Sequence, residues 1–299
     1  MDFVTAASLD EALQALAAGA RPIAGGTDLV VGARVGKAAL PDSVVAINRI
    51  GELAAIADDA NGLRIGALVS HATLMTHPTI VQRCTALSDA AALVGSPATR
   101  HVGTLGGNVM NGSPAMDTGA PLVVLGALAE LRTTTATRSV TMADLWVGPG
   151  QTSAAADELC TALVVPTPPA DSGSAYVRLE YRRAMEIAVV GAAAAVTLNA
   201  EGSIASARVA LAAVAPTVIE VSAVADAVDS ATVAEAADAV ATLASEQASP
   251  ISDVRASDAY RRHCIGVMAG RALDAAARRA SGEAIPVPVN RTLGIGAAS

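Results

Sequence analysis

Two glycine-rich turns constrain this chain more than any other feature. Ala24-Gly25-Gly26-Thr27-Asp28 follows a short strand-like run, and Gly103-Thr104-Leu105-Gly106-Gly107-Asn108 lies within a glycine-rich segment, residues 95–119, that also carries Pro97 and Pro114. Glycine admits positive φ and lets a backbone approach a ligand closely. Successive amides in such a turn form a concavity suited to an anion. A helix starting near Asp28 would add the positive end of its dipole. Thr27 offers a hydroxyl. Asp28 is repelled by phosphate and fits better as a helix cap or as an acceptor for a sugar hydroxyl. Taken alone, Gly25-Gly26 also reads as an ordinary tight turn, and residues 95–119 as a long loop packed on itself.

The second turn is the richer of the two. Asn111-Gly112-Ser113-Pro114 and then Asp117 follow it. Permissive backbone, hydroxyls, amides and one acid are the groups needed to hold a diphosphate and its neighbouring sugar-like hydroxyls. Neither turn is Gly-x-Gly-x-x-Gly, and Gly-x-x-x-x-Gly-Lys-Ser/Thr is absent, so the Rossmann and P-loop fingerprints do not apply. The motifs favour a dinucleotide held outside a Rossmann crevice.

Composition removes several function classes. The net charge is −8 with a pI of about 5.0, and no basic stripe occurs, which argues against nucleic acid as a partner. The pairs Arg182-Arg183 and Arg261-Arg262 read as solvated edges of helices or strands. Cys84, Cys160 and Cys264 are widely separated and no Cys-x-x-Cys occurs, so neither a disulfide framework nor a metal site on this chain is expected. Each cysteine is expected to be a small buried hydrophobe. The apolar run 187–198 is too short to span a bilayer. Residues 1–4 lack the features of a signal peptide. The expectation is a cytoplasmic protein without membrane insertion.

The pattern predicts three domains and a tail. Residues 1–55 form an α/β unit: a helix opened by a Ser8/Glu11 capping box, a strand at 21–24, a helix at 28–35 and a strand at 44–47. Residues 56–170 hold a strand at 63–67, helices at 70–76 and 79–94, the long loop 95–119, a helix at 121–128, and strands near 130–135, 139–140 and 158–165. Pro166-Thr167-Pro168-Pro169 marks a boundary. In residues 171–282, three strand-like runs (175–181, 188–198, 206–213) predict an antiparallel meander. Alanine-rich helices at 218–228, 232–245 and 257–280 follow it. Residues 283–299 read as a tail.

Five segments in order carry a resemblance. They are Pro22-Ile23-Ala24-Gly25-Gly26-Thr27-Asp28-Leu29, Gly95-Ser96-Pro97-Ala98-Thr99-Arg100, Gly103 to Asn108 with Ser113-Pro114 and Asp117, Tyr181 to Val190, and Tyr260-Arg261-Arg262-His263. On these residues the sequence resembles the FAD-binding medium subunit of the molybdenum hydroxylases, the group of xanthine and carbon monoxide dehydrogenases. The resemblance implies an α+β chain. Two subdomains of the vanillyl-alcohol-oxidase (PCMH) type would hold an extended FAD, followed by a three-stranded antiparallel sheet with a three-helix bundle.

By the same resemblance, Ile23, Ala24, Gly25, Gly26, Thr27, Asp28 and Leu29 contact the cofactor together with Gly103, Thr104, Leu105, Gly106, Gly107 and Asn108. Asp117 would accept from a flavin-side hydroxyl. Arg183 would belong either to a dimer contact or the flavin edge, or to a charged strand end. Val94 is aliphatic where some relatives place an aromatic ring beside the flavin. Thr27-Asp28 stands where carbon monoxide dehydrogenases carry Gln-Ser, which points away from carbon monoxide as substrate. No residue has an acid–base role; His101, just before the second turn, is the histidine nearest to one.

The implied role is electron transfer, an oxidoreductase function. A large molybdopterin subunit would oxidise the substrate, a small subunit with [2Fe-2S] clusters would relay electrons, and FAD on this chain would pass them to an external acceptor. The implied assembly is a dimer of heterotrimers. Two other readings stand beside it: a self-contained flavoprotein oxidase or reductase of the same fold, and a non-enzymatic alanine-rich scaffold.

Overall fold

The computed structural model describes residues 2–295. Three larger sheets organise the chain, beside a two-stranded pair of Trp146–Gly148 with Gln151–Thr152, and one buried core joins the second sheet to a face of the third. In the first, Asp2–Thr5, Ser43–Ala46 and Arg21–Ile23 lie side by side and parallel, with Ser43–Ala46 in the middle. The edge strand Asp2–Thr5 is exposed throughout, so no alternation announced it in the sequence. Helix Leu9–Ala17 packs Leu9, Ala12, Leu13 and Leu16 inward, the spacing of one helical face. Only half of its capping box forms. Ser8 Oγ accepts from Glu11 N at 3.3 Å, whereas Glu11 Oε2 takes the amide of Ala7 at 2.7 Å rather than that of Ser8.

The second sheet runs Ile56–Asp59, Gly62–Gly66, Leu159–Val165, Leu128–Arg132, Thr137–Thr141, antiparallel throughout. Its central strand, Leu159–Val165, is buried along its whole length and therefore reads as an apolar run interrupted only by Thr161. The single helix expected over 79–94 is two, Pro78–Arg83 and Thr85–Leu93, divided where Cys84 leaves the helical region at φ −133°. The loop expected over 95–119 is largely helical as well. Pro97–Val102 and Leu105–Met110 are each opened by a hydroxyl cap, Ser96 and Thr104, that accepts the amide three residues on. The caps and Pro97 at the first helical position outweigh the weak helix preference of the glycines.

The third sheet has four strands in sequence order: Ser172–Leu179, Val190–Leu198, Ile204–Ala212 and Ile219–Glu220. This corrects the three-stranded expectation. The added strand is two residues long, too short to leave a period in the sequence. Helices Val224–Val228, Val233–Gln247 and Asp258–Ala280 follow. The long last helix lies directly on the sheet: a Cβ on Gly173 would stand 2.3 Å from Ala276 O. Residues 283–295 are no tail. Ile285, Val289 and Ile295 are buried against the same core, and Asn290 bonds the backbone of Arg178 on both sides, at 3.0 and 2.8 Å. The remaining tail residues, 296–299, lie outside the described residues. Among the described residues, no helix is long and apolar enough to cross a membrane.

Candidate functional site

The first turn leaves the strand Arg21–Ile23 and enters the helix Leu29–Arg34. Among the described residues, no protein acceptor takes the amides of Gly25, Gly26, Thr27 or Asp28. Gly26 sits at φ +68°, a conformation that turns neighbouring amides toward one concave side. These half-exposed N–H groups open a nest at the start of a helix, where negative charge is favoured. Asp28 occupies the position before the helix with helical φ and ψ, and its carboxylate makes no capping bond. It is therefore not the cap that the sequence allowed, and its oxygens remain available.

The second turn is held differently. Leu105 N donates to Val69 O (2.9 Å), Gly106 N to Ala67 O (2.8 Å), Gly107 N to Thr104 Oγ1 (3.1 Å) and Asn108 N to Thr104 O (3.0 Å). The four amides expected to be open are engaged by the protein. What this turn contributes is shape. A Cβ on Gly106 would come 2.5 Å from that of Ala67, so glycine is required for the backbones to meet. Asn108 accepts from Thr118 Oγ1 at 2.6 Å through Oδ1, which leaves its side-chain NH2 turned elsewhere.

The two turns touch. A Cβ on Gly25 would lie 2.0 Å from Val102 O and 3.2 Å from Gly103 N. Thr27 Oγ1 and the ring of His71 also reach the space beside Gly103, and His71 N donates to Gly103 O at 3.1 Å. His71 is buried, its Nδ1 has no partner, and burial followed by the nearby Arg100 charge lowers its pKa to about 4. It is a neutral imidazole at the junction of the turns. His101, by contrast, is exposed.

Asp117 is buried and taken up on both oxygens: Tyr176 OH donates to Oδ1 at 2.8 Å and Arg178 NH1 to Oδ2 at 2.8 Å. Arg178 is fully buried and also bonds Glu180 through Nε at 2.9 Å. Burial raises the pKa of Asp117, opposed by the guanidinium and the phenol. Burial also works against the charge of Arg178, and the carboxylates of Asp117 and Glu180 overcome it. Gly191 makes room for the phenol, since a Cβ there would fall 2.5 Å from Tyr176 OH. A second buried pair, Asp89 with Arg279, ties the middle sheet's helix Thr85–Leu93 to the long C-terminal helix at 2.6 and 3.0 Å.

Sequence reasoning missed Tyr176, Arg178, Glu180, Asp89 and Arg279. A signal existed for three of them. Tyr176, Arg178 and Glu180 alternate, with Ser172 and Ser174 before them, along one face of a largely buried strand and its end, where unpaired charge is costly. Arg183 lies in the exposed connection 181–187, which is docked at Gly95 by Met185 N to Gly95 O, 3.0 Å. The connection is thus brought to the start of the second glycine segment, next to Val94, whose carbonyl accepts from Arg100 NH1 at 3.0 Å. The three cysteines are free and buried, and burial pushes the thiols of Cys84 and Cys160 up to about 12.

Comparison with known proteins follows this geometry. Residues 1–168 match the FAD binding domain in molybdopterin dehydrogenase, and residues 174–276 match the CO dehydrogenase flavoprotein C-terminal domain. The chain belongs to the family of FAD-binding subunits of the molybdopterin dehydrogenases, and its two matched parts meet across residues 169–173, at the end of the proline-rich segment. Among its relatives is the carbon monoxide dehydrogenase medium chain of Afipia carboxidovorans, 32% identical over 87% of this chain and 90% of that one. The nicotinate dehydrogenase FAD-subunit of Eubacterium barkeri is 36% identical over 60% of this chain, and that match spans 62% of the relative's length. A solved carbon monoxide dehydrogenase from Hydrogenophaga pseudoflava superposes with a TM-score of 0.88 at 29% identity, over 93% of this chain and 98% of that one.

Proposed function

We propose that this chain is the electron outlet of a molybdenum-containing dehydrogenase. In this reading it holds FAD, receives electrons from the [2Fe-2S] clusters of a small partner subunit, and passes them to an external acceptor. A large molybdopterin subunit carries the substrate chemistry, and the complex is a cytoplasmic dimer of heterotrimers. The observation that carries the reading is the junction of the two turns. The amides of Gly25–Asp28 are left open in a turn that packs so closely on the second turn that only glycine fits at position 25.

The residues present fit FAD. Gly25, Gly26, Thr27 and Asp28 offer amides to the diphosphate, with Ile23, Ala24 and Leu29 forming the walls of the turn. Gly103, Thr104, Leu105, Gly106 and Gly107 supply the close-packed opposite wall, and Asn108 its side-chain amide. The oxygens of Asp28 suit a sugar hydroxyl. Asp117 accepts one bond on each oxygen, from Tyr176 and Arg178, and keeps a lone pair on each for the flavin-side hydroxyl that the resemblance gives it. Arg183, on the connection docked at Gly95, is assigned to the flavin edge. Bound FAD supplies the ability to take electrons singly and release them in pairs. The chain's own part is to bind, orient and shield.

The two N-terminal sheets, each with its own strand order, support the vanillyl-alcohol-oxidase type of flavin fold and a division at residues 1–55, 56–170 and 171–295. The test is purification of the native complex with metal and cofactor analysis. Molybdenum, iron and flavin travelling with this chain is the expected result. A chain that purifies alone with flavin and oxidises a substrate unaided would refute it.

A further inference from the structure

The fold makes no use of the imidazole of His71. The residue is 2% exposed, and its Nδ1 is sealed from solvent without a hydrogen bond. Among the described residues Nε2 has no partner either, but that edge of the ring is not sealed. Buried polar groups are almost always satisfied. Burial and the charge of Arg100 keep the ring neutral, so no ion pair offsets its desolvation. A histidine here costs stability that an apolar side chain would not.

The backbone holds this ring in place beside the first turn. Leu105 N donates to Val69 O at 2.9 Å, Ser70 bridges Thr104, and His71 N donates to Gly103 O at 3.1 Å. This short ladder fixes residues 69–71 on residues 103–105. A Cβ on Gly103 would stand 3.3 Å from His71 Cδ2, the carbon bonded to Nε2, and 3.5 Å from Thr27 Oγ1. The Nε2 edge and the Thr27 hydroxyl therefore converge on one spot, next to the open amides of Gly25–Asp28. The Thr27 hydroxyl also lacks a partner among the described residues. A neutral imidazole carries one N–H and one lone pair. With Nδ1 sealed, the proton that can meet an acceptor is the one on Nε2. Hydroxyl, ring N–H and backbone amides form one set of donors without acceptors.

We propose that His71 is a cofactor-binding residue, whose Nε2–H donates to a diphosphate oxygen of FAD beside the Thr27 hydroxyl. The inference rests on the proposed function, which places the diphosphate at the first turn. It adds a ligand from outside both glycine turns and gives the buried, unpaired ring a purpose.

Two substitutions separate donation from packing. His71→Leu fills the space without a donor, and His71→Gln carries an amide N–H to about the place of Nε2. The flavin-free full-length chain is titrated with FAD and followed by flavin fluorescence. His71→Leu should bind FAD at least about tenfold more weakly, the loss of one hydrogen bond to a charged group. His71→Gln should recover binding to within about threefold of wild type. In proton NMR of the wild-type chain, a slowly exchanging imidazole Nε2–H resonance should appear when FAD is added and be missing from His71→Gln. That resonance decides alone should His71→Leu fail to fold, as judged by circular dichroism. If wild type binds FAD, the proposal is overturned by His71→Leu binding as tightly, by His71→Gln faring no better than His71→Leu, or by the absence of the protected resonance, and the proposed function survives. A wild-type chain that binds no FAD overturns both.

Discussion

Replacing Gly25 by alanine separates the two turns without removing any polar group. The new Cβ would stand 2.0 Å from Val102 O and 2.7 Å from Val102 C, where real Cβ contacts are essentially never below 3.0 Å. Both obstacles are backbone, so no side chain can swing away. The turns must part by about 1 Å. Overpacking of this kind costs about 1–3 kcal/mol of stability. The larger effect falls on the cofactor, because hydrogen bonds to phosphate tolerate only about half an ångström between 2.7 and 3.2 Å. Losing two charge-assisted bonds at about 1.5–3 kcal/mol each weakens FAD binding by roughly 100-fold or more. Titrating the flavin-free chain with FAD and following flavin fluorescence measures this directly. Gly32→Ala is the control. It lies in the helix entered from the same turn, its Cβ would meet nothing within 4 Å, and alanine there should be neutral or stabilise by about 0.5–1 kcal/mol. Gly25→Ala binding FAD within twofold of wild type would refute the reasoning.

Two further outcomes concern the buried groups. Asp117→Ala leaves Arg178 fully buried with Glu180 alone and should cost about 3–5 kcal/mol in chemical denaturation, whereas Tyr176→Phe, which removes one hydrogen bond, should cost about 1–2 kcal/mol. Equal, small losses would contradict the clamp. His71 titrates at about 4 when folded against 6.5 when unfolded. The unfolded chain therefore takes up a proton that the folded one refuses, so stability present above pH 6.5 is lost as pH falls toward 4, by up to roughly 3 kcal/mol. His71→Asn should flatten that slope in denaturation curves recorded between these pH values; an unchanged slope would place its origin elsewhere.

Much of this was legible in the sequence where local rules govern. The Arg21 strand, the first three strands of the C-terminal sheet and the helices Val233–Gln247 and Asp258–Ala280 follow from period and capping, whereas the helix expected over 218–228 is only Val224–Val228. What was hidden depends on partners distant in sequence. Nothing near Asp117 announces that Tyr176 and Arg178 will each donate to one of its oxygens, nor does anything near Asp89 announce Arg279. The amides of Gly106 to Asn108 read as open because the sequence cannot say that Ala67 and Val69 will accept from this turn. Glycine content likewise disguised two capped helices as a loop. Gly106 is there for a backbone contact with Ala67 rather than for flexibility. The strand Ile219–Glu220 was invisible because two residues carry no period.

The central claim is that the open first turn, pressed on the second, holds FAD. The visible absorption spectrum of the purified full-length chain tests it most directly, before and after reconstitution with FAD and desalting. Flavin bands at one FAD per chain in wild type, lost in Gly25→Ala and kept in Gly32→Ala, are predicted. A wild-type chain that retains no flavin after reconstitution would contradict it.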